Sequence, residues 1–396
     1  MWQWVSLLGL ISWVIISSSF QVTEKLRSLS QAWVIRNVVS GTSLILQIQK
    51  YQNVFLDALF AGLSCVVSIP FYTGFLPLLF WSGHAKLARQ MTILMAFCDY
   101  AGNCVKDVVS APRPSCPPVR RITATKDEEE NALEYGLPSS HTLNTVCLSG
   151  YLLHYVLSES ERIALPQQLL GVVIVFCFVS LIGFGRIYLG MHSLVDIISG
   201  LFLGLVILTF WLAIHNHVDD FIVASPNVTT FWAGLSFCLL FAYPTPQHPS
   251  PSFEYHAAFT GVAFGIVAGV QQTFNQYHHE AVPRAFSELT MPRFCGRIFI
   301  GLPTILLVKF SCKELAIRIV PSVSNTLGLP VVSSGYVPSL NEKRRYNRQS
   351  SYLQKLLFFR SQETFDVDTG IRFLQYAGLA WSVVDLVPTL YSYAGL

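Results

Sequence analysis

Long apolar runs alternate with short polar segments along most of this 396-residue chain. The runs at 169–181 and 197–214 contain no charged residue and are too long for ordinary strands. Several other runs approach the roughly 20 apolar residues that a helix needs to cross a bilayer. The pattern predicts an all-α fold, a polytopic membrane helix bundle of about 8–9 transmembrane helices. The predicted spans are 55–82, 89–109, 142–158, 169–184, 193–214, 230–244, 256–272, 297–312 and 371–391.

The distribution of apolar and polar residues divides the chain into three regions. Residues 1–54 are predicted to be an N-terminal anchor or lead-in segment, because their apolar start lacks the positive residues of a secretory signal peptide. Residues 55–215 form a core that carries every candidate motif, and residues 216–396 add further membrane helices. A polar loop near 321–368 interrupts the last region. Its basic cluster, Lys343–Arg348, is interpreted as a solvated loop rather than a lipid-phosphate contact.

The composition supports a surface that faces lipid. Only 12% of the residues are charged and 52% are hydrophobic, whereas soluble proteins have about a quarter charged residues. The net charge of +3 is close to neutral, and no long basic stripe indicates a nucleic-acid partner. Nine cysteines are scattered without CxxC pairs or metal-ligand spacing, so neither a metal nor a cofactor is predicted. The bilayer is the predicted environment, and no protein partner is identified.

The first chemical motif lies at the end of the 89–109 span. Lys106 and Arg113 are seven residues apart, about two helical turns, so both side chains can project from one helix face. Pro112 and Pro114 then end the helix. Two cations with a common direction suit a phosphate monoester, which carries up to about two negative charges. Positive residues that simply flank a membrane boundary are the alternative interpretation.

The second motif marks the start of the 142–158 span. Pro138, Ser139, Ser140 and His141 stand directly before this apolar run and indicate a helix N-terminus. Free backbone N–H groups and the helix dipole attract anions at such a position. Ser139 and Ser140 can add hydroxyl or amide donors, and His141 is placed to transfer a proton. An ordinary helix cap with an incidental histidine is the alternative interpretation.

The third motif precedes the charge-free run at 197–214. His192 and Asp196 are four residues apart, so their side chains are predicted to share a helix face. A carboxylate there accepts a hydrogen bond from one ring nitrogen, which fixes the tautomer and frees the other nitrogen to attack. Arg186 lies six residues before His192 in a glycine-flanked turn, from which it can reach the same pocket. A boundary histidine beside a helical neighbour is the alternative interpretation.

The order of the motifs predicts one shared pocket. The first two motifs bracket a single loop, and the third follows two spans later. Because a hairpin of two helices returns the chain to the same membrane face, all three motifs are expected on one side of the bilayer. Ionisable residues are costly in membrane helices, so they are interpreted as functional.

At these motifs the chain resembles the type-2 phosphatidic-acid phosphatase superfamily, whose soluble relatives include vanadium haloperoxidases. The family pattern is Lys-x6-Arg-Pro, then Pro-Ser-Gly-His, then Ser-Arg-x5-His-x3-Asp. Two positions depart from this pattern: Ser140 replaces a glycine, and Gly185 replaces the serine before the arginine. The backbone amide survives at Ser140, whereas a hydroxyl contact is lost at Gly185.

The surrounding sequence resembles the sphingosine-1-phosphate and long-chain-base-phosphate phosphatase branch, and its plant-type members in particular. This resemblance lies in segments 111–118, 134–141 and 188–196, and the superfamily resemblance covers roughly residues 55–215. The doubled histidine that is typical of general lipid phosphate phosphatases in the third motif is absent from this chain.

The resemblance implies that the chain hydrolyses a membrane lipid phosphate monoester, specifically sphingosine 1-phosphate or another long-chain-base 1-phosphate, without a metal or other cofactor. His192 is implied to be the nucleophile that forms a phosphohistidine, with Asp196 orienting it. His141 is implied to protonate the departing lipid alcohol and then to activate water. The residues implied to bind the phosphate are Lys106, Arg113, Ser139, Ser140 and Arg186.

Two other functions stay open at this point. A broader lipid phosphate phosphatase would act on phosphatidate or on isoprenyl or dolichyl pyrophosphate. A transporter would have charged or broken helices near the bilayer midplane, where the notable charged residues are Asp99, Lys309 and Asp385.

The membrane side of the pocket has two competing indications. The branch implies the endoplasmic reticulum and a lumenal pocket, whereas positive residues on the pocket side favour the cytosolic face. The glycosylation sequon at Asn227 is predicted on the side opposite to the pocket.

Overall fold

The computed structural model of the chain confirms an all-α fold built from a bundle of long helices. The structure describes residues 2–159, 164–248, 250–279, 290–329, 331–337, 340 and 365–396. The basic cluster Lys343–Arg348 lies outside the described residues.

Helices account for nearly all of the regular structure. The first elements are α1 (Trp2–Ser19), α2 (Val22–Gln49), α3 (Val54–Cys65), α4 (Ile69–Trp81), α5 (Ala85–Val109), α6 (Lys126–Asn131), α7 (Ser140–Glu159), α8 (Leu165–Tyr188) and α9 (Leu194–Ala224). The later elements are α10 (Val228–Ala242), α11 (Pro251–Thr273) with a π-helical end (Phe274–His278), α12 (Met291–Thr326), β1 (Val331–Val332), β2 (Phe365–Asp366), α13 (Val367–Val384) and α14 (Leu386–Ala394). The strands β1 and β2 pair in parallel over two residues each, which leaves the fold class unchanged.

Four helices in the described part of the chain are long and apolar enough to cross a membrane: α8, α9, α11 with its π-helical end, and α12. The number rises to six if α1 with α2 and α3 with α4, which are bent by 65° and 50°, each form one span. Helix α5 corresponds to a further predicted span but is more polar, and it buries Arg89, Asp99 and Lys106 among its neighbours. Its polar groups are therefore kept away from lipid by the surrounding helices.

Large apolar side chains cover the outer faces of α8, α9 and α12. Only 17%, 22% and 11% of the most apolar stretches of these three helices are buried inside the bundle. Exposed side chains on these faces include Phe176, Phe202, Phe299, Leu307 and Phe310. A continuous apolar surface of this kind requires a lipid environment, because monomeric soluble proteins rarely expose such patches. The chain is an integral membrane protein.

Two predicted spans are each divided into two helices. The span predicted at 55–82 breaks before α4, where Ser68 Oγ accepts a hydrogen bond from the Phe71 N–H at 3.4 Å and a proline occupies the first helical turn. The span predicted at 371–391 breaks at Asp385, between α13 and α14. The polar region predicted from residue 321 begins later, because α12 continues to Thr326.

Helices α7 and α9 pack closely because α9 presents glycines to α7. A Cβ at Gly200 would lie 2.7 Å from the carbonyl oxygen of Ser139, and one at Gly204 would lie 3.0 Å from Cβ of Val146. Small residues allow helices in membranes to approach at such distances. This contact holds the second sequence motif against the helix that follows the third.

A buried ion pair joins α5 and α9 far from the sequence motifs. Arg89 lies about 25 Å along α5 from Lys106. Its Nε donates to Asp219 Oδ1 at 2.5 Å, its Nη2 donates to Asp219 Oδ2 at 2.8 Å, and both side chains are buried. Two parallel hydrogen bonds of this type give the pair a defined geometry.

We expect Asp219→Asn to lower the free energy of unfolding by about 3–5 kcal/mol, because the substitution leaves the Arg89 guanidinium buried without its counter-charge. Asp220→Asn changes the adjacent, exposed carboxylate and should leave stability unchanged. Thermal unfolding of both variants in the same detergent measures the difference. Equal melting temperatures would contradict a stabilising role for the pair.

Candidate active site

The three sequence motifs meet around His192, which is buried. Arg113 of the first motif places Nη1 2.9 Å from His192 Nε2. Burial lowers the pKa of His192 well below its usual range, and the charges of Arg113, Arg186 and Lys106 lower that pKa further. His141 of the second motif is also close enough to lower it. The imidazole of His192 is therefore neutral near pH 7.

The contact with Arg113 indicates which nitrogen of His192 carries the proton. A guanidinium can only donate, so Nε2 accepts and the hydrogen of the neutral ring lies on Nδ1. Nδ1 faces Asp196, whose Oδ2 is 3.7 Å away. The lone pair of Nε2 is thus directed toward the cationic side chains.

Asp196 caps the start of α9 in addition to facing His192. Its Oδ2 accepts hydrogen bonds from the Ser193 N–H at 2.7 Å and from Ser193 Oγ at 2.9 Å. His192 precedes α9, so the two residues do not share a helix face as predicted. They are brought together by the turn before the helix, at a separation longer than a hydrogen bond.

Lys106 and Arg113 are joined through a third side chain. Helix α5 ends at Val109, where Ser110 adopts a left-handed conformation, so the two cations do not share the predicted helix face. Instead both side chains contact Glu134 Oε2. The distance to this oxygen is 2.5 Å from Lys106 Nζ and 3.4 Å from Arg113 Nη2. Arg113 Nε also donates to the carbonyl oxygen of Glu134 at 3.1 Å.

Arg186 is held by a second acidic residue. It lies in the last turn of α8, which corrects the expectation of a glycine-flanked turn. Its Nη1 contacts Glu128 Oε1 and Ser64 Oγ. Ser64 donates its hydroxyl hydrogen to Glu128 Oε1 at 2.6 Å, so the same Oγ accepts from His141 Nε2 at 3.3 Å. His141 therefore carries a hydrogen on the nitrogen nearest this cluster.

The two serines of the second motif have different positions. Ser139 is buried, its N–H donates to the Asp196 carbonyl at 3.0 Å, and its Oγ accepts from the Thr142 N–H at 3.4 Å. Its backbone donor is thus used within the fold, which leaves the hydroxyl hydrogen of Ser139 for its predicted role in phosphate binding. The N–H groups of Ser140 and His141 have no acceptor among the residues that the structure describes. These two amides remain available to an anion.

Three polar side chains of the site were not singled out from the sequence: Ser64, Glu128 and Glu134. The two glutamates lie in the polar segment between the first and second motifs. Their position between the cationic first motif and the second motif, which is predicted to bind an anion, was the available signal. Ser64, on α3, is separated from its partners by at least 64 residues of sequence and gave no such signal.

Two glycines shape the end of α8 and the turn that leads from it to His192. A Cβ at Gly185, where the family has serine, would lie 2.8 Å from Cδ1 of Phe60. Gly190 has φ +70°, and a Cβ there would lie 2.3 Å from the carbonyl oxygen of Arg120. Position 190 therefore requires glycine for two reasons: the left-handed backbone conformation and the close approach of the Arg120 backbone.

The arrangement suits transfer of a phosphoryl group. It combines an imidazole whose Nε2 carries no hydrogen, a second imidazole and three buried cations, which are the elements of nucleophilic attack on phosphorus. Within the described ranges, no group of three or more His, Cys, Asp or Glu side chains is placed to hold a metal ion.

Comparisons with known proteins agree with the chemistry of the site. A model of the PAP2 superfamily matches residues 87–220, a range that includes all three motifs. Lipid phosphate phosphatase delta of Arabidopsis thaliana is 63% identical over 100% of this chain and 97% of its own length. A dihydrosphingosine 1-phosphate phosphatase of Schizosaccharomyces pombe is 25% identical over 93% of this chain and 91% of its own length.

A more distant relative is also similar over most of its length. Sphingosine-1-phosphate phosphatase 2 of Homo sapiens is 24% identical over 88% of this chain and 81% of its own length. No solved structure matches the chain.

We expect Gly190→Ala to reduce phosphatase activity strongly, because the new methyl group would displace the turn that carries His192 from the Arg120 backbone. Gly328→Ala is the matched control: Gly328 also has a positive φ, +66°, but has open space around its Cβ position. Both variants carry a backbone cost of about 1–2 kcal/mol, and only the first carries the clash. Equal activities of the two variants, measured with the same lipid phosphate, would contradict the role of Gly190.

Proposed function

The chain belongs to the PAP2 superfamily, and we propose that this membrane lipid phosphate phosphatase hydrolyses long-chain-base 1-phosphates, such as sphingosine 1-phosphate, to the free base and phosphate. One observation carries the proposal: the buried His192 has Arg113 Nη1 2.9 Å from its Nε2, and Lys106, Arg186 and His141 are close enough to act on its charge. The relatives named as dihydrosphingosine or sphingosine phosphatases support a long-chain-base substrate.

In the first proposed step His192 Nε2 attacks phosphorus. The bond between phosphorus and the lipid oxygen breaks, and His141, which enters this step as the imidazolium, donates a proton to that oxygen, which leaves as the lipid alcohol. A phosphohistidine remains on His192. The three non-bridging oxygens of the phosphate are stabilised by Lys106, Arg113 and Arg186 and by the backbone amide of Ser140. To bind a phosphate oxygen, Arg113 gives up its contact with His192 Nε2.

In the second proposed step water hydrolyses the phosphohistidine. His141, now without its proton, removes a proton from the water, whose oxygen attacks phosphorus while the P–N bond breaks. The electron pair returns to His192, and phosphate leaves. Asp196 faces the Nδ1 hydrogen and stabilises the positive charge that the ring carries while Nε2 is phosphorylated. We propose that no metal is needed, because the cationic side chains supply the charge stabilisation.

We propose the endoplasmic reticulum membrane and a lumenal pocket on the basis of the branch that the motifs resemble. Asn227 follows the end of α9, whereas His192 precedes its start. The glycosylation sequon therefore lies at the other end of a 31-residue helix from the pocket. With the pocket on the lumenal side, Asn227 lies on the cytosolic side and is not glycosylated.

We expect His192→Ala to lower hydrolysis of a long-chain-base 1-phosphate by at least about a thousandfold, because the proposed nucleophile is removed. His217→Ala, an exposed histidine on α9, should retain wild-type activity. Purified enzyme is assayed with a long-chain-base 1-phosphate, phosphatidate and an isoprenyl pyrophosphate. Retained activity in His192→Ala would reject the mechanism, and a preference of the wild type for either other lipid would reject the proposed substrate.

We expect a covalent phosphoenzyme during turnover, because the proposed intermediate is a phosphoramidate. Wild-type enzyme and His217→Ala, quenched during hydrolysis of substrate with a radioactive phosphate, should retain label that survives alkali and is lost in acid. His192→Ala should retain none. Label of the same stability on His192→Ala would place the intermediate on another residue.

A further inference from the structure

A carboxylate lies inside the cationic clamp that is proposed to bind the phosphate. Glu134 is buried, and its Oε2 contacts both Lys106 Nζ at 2.5 Å and Arg113 Nη2 at 3.4 Å. Its backbone carbonyl receives a further hydrogen bond from Arg113 Nε at 3.1 Å. Glu134 is thus held next to the position that a phosphate bound by these two cations would take. Glu134 carries the same sign of charge as the phosphate and would therefore repel a phosphate bound there.

The cations of the pocket already have carboxylate neighbours without a substrate. Lys106, Arg113 and Arg186 lie near Glu128, Glu134 and Asp196, and the buried carboxyl groups of Asp99 and Asp107 also lie close to Lys106. A phosphate monoester adds up to about two negative charges. A lipid with no other charge would therefore leave an excess of buried negative charge, which is unfavourable. A substrate that also carries a positive charge would offset part of this excess.

We infer that Glu134 binds the protonated amine of the substrate, so that the pocket selects lipids in which an ammonium group neighbours the phosphate ester. The inference rests on the proposed function and deepens it. In a long-chain-base 1-phosphate the amine and the phosphate oxygen are on adjacent carbons, so the two opposite charges enter the pocket together. Lys106 and Arg113 meet the phosphate, and Glu134 meets the ammonium.

The second glutamate of the pocket is less suited to this task. Glu128 Oε1 accepts from Ser64 Oγ and contacts Arg186, and its Oε2 accepts from the Ala124 N–H at 2.8 Å. Both oxygens are thus used to hold the segment and Arg186 in place. The side-chain contacts of Glu134 with the two cations are made by Oε2 alone. Glu134 is therefore the specificity-determining residue in this inference.

The test compares two substrates that differ only at the amine: sphingosine 1-phosphate and its N-acetyl derivative, whose nitrogen is a neutral amide. We expect the wild type to have the higher kcat/KM for the free amine. Glu134→Gln should lower kcat/KM for the amine substrate by about tenfold or more, as for loss of a hydrogen bond to a charged group. It should lower kcat/KM for the N-acetyl substrate by a clearly smaller factor, so the ratio of the two values collapses.

Two further variants separate charge from position. Glu134→Asp keeps the carboxylate and should keep a preference for the amine. Glu130→Gln removes an exposed carboxylate from the same segment and should keep the full wild-type ratio. Loss of the ratio in Glu130→Gln would assign the preference to the general charge of the segment and overturn the inference.

A measurement on the wild type does not depend on whether a variant folds. Phosphoethanolamine and ethyl phosphate are soluble headgroups that differ by the amine, and we expect phosphoethanolamine to be the stronger competitive inhibitor. Equal inhibition would overturn the inference.

A loss by the same factor on both lipid substrates in Glu134→Gln would also overturn it, since Glu134 would then only position Lys106 and Arg113. An equal gain on both would overturn it as well, because Glu134 would then be an anion that occupies the phosphate position.

Failure of the proposed function gives a different result. A wild-type enzyme that hydrolyses phosphatidate but neither sphingoid substrate would reject the long-chain-base substrate and the inference together. A wild type that prefers the amine, combined with a Glu134→Gln variant that keeps this preference, would reject the inference alone.

Discussion

Burial of charge at one end of a lipid-embedded bundle is the constraint on which the site depends. Lys106, Arg113 and Arg186 are withdrawn from water, and an isolated charge in such a place costs several kcal/mol. The polar segment between the first two motifs supplies Glu128 and Glu134 as partners. This segment is therefore part of the pocket, and its fold is tied to the cations that it covers.

The same constraint acts at the far end of the central helices. Arg89 and Asp219 form a bidentate pair between α5 and α9, and each satisfies the charge of the other. Elsewhere in the bundle two helices make contact through small residues. On α11, a Cβ at Gly261 or Gly265 would lie 2.4 Å and 2.2 Å from backbone oxygens of α13. Close backbone packing of this kind holds polar helices inside a bundle whose outer faces are apolar.

Burial and positive charge together prepare the histidine chemistry. The cations that are proposed to bind phosphate also lower the pKa of His192, so the ring is neutral and its Nε2 lone pair is available. In the proposed mechanism a phosphate draws Arg113 away from Nε2, and this lone pair then faces phosphorus. One set of charges thus contributes to binding and to activation of the proposed nucleophile, and the carboxylates moderate the total charge of the pocket.

The sequence by itself determined the fold class and the residues of the three motifs. Charge-free runs of bilayer length allow only helices in lipid, because every backbone polar group must be paired within the segment, and the motif spacings indicated His141, Arg186, His192 and their neighbours. The positions of the helix ends were harder to predict from the sequence. Ser110 ends α5 before Arg113, so Arg113 does not share a helix face with Lys106. Ser193 begins α9 after His192, so His192 does not share a helix face with Asp196. The partners Ser64, Glu128 and Glu134 were decided only by the tertiary structure. Their contacts join residues far apart in the chain, and the packing of whole helices, which no local spacing encodes, determines which distant side chains meet.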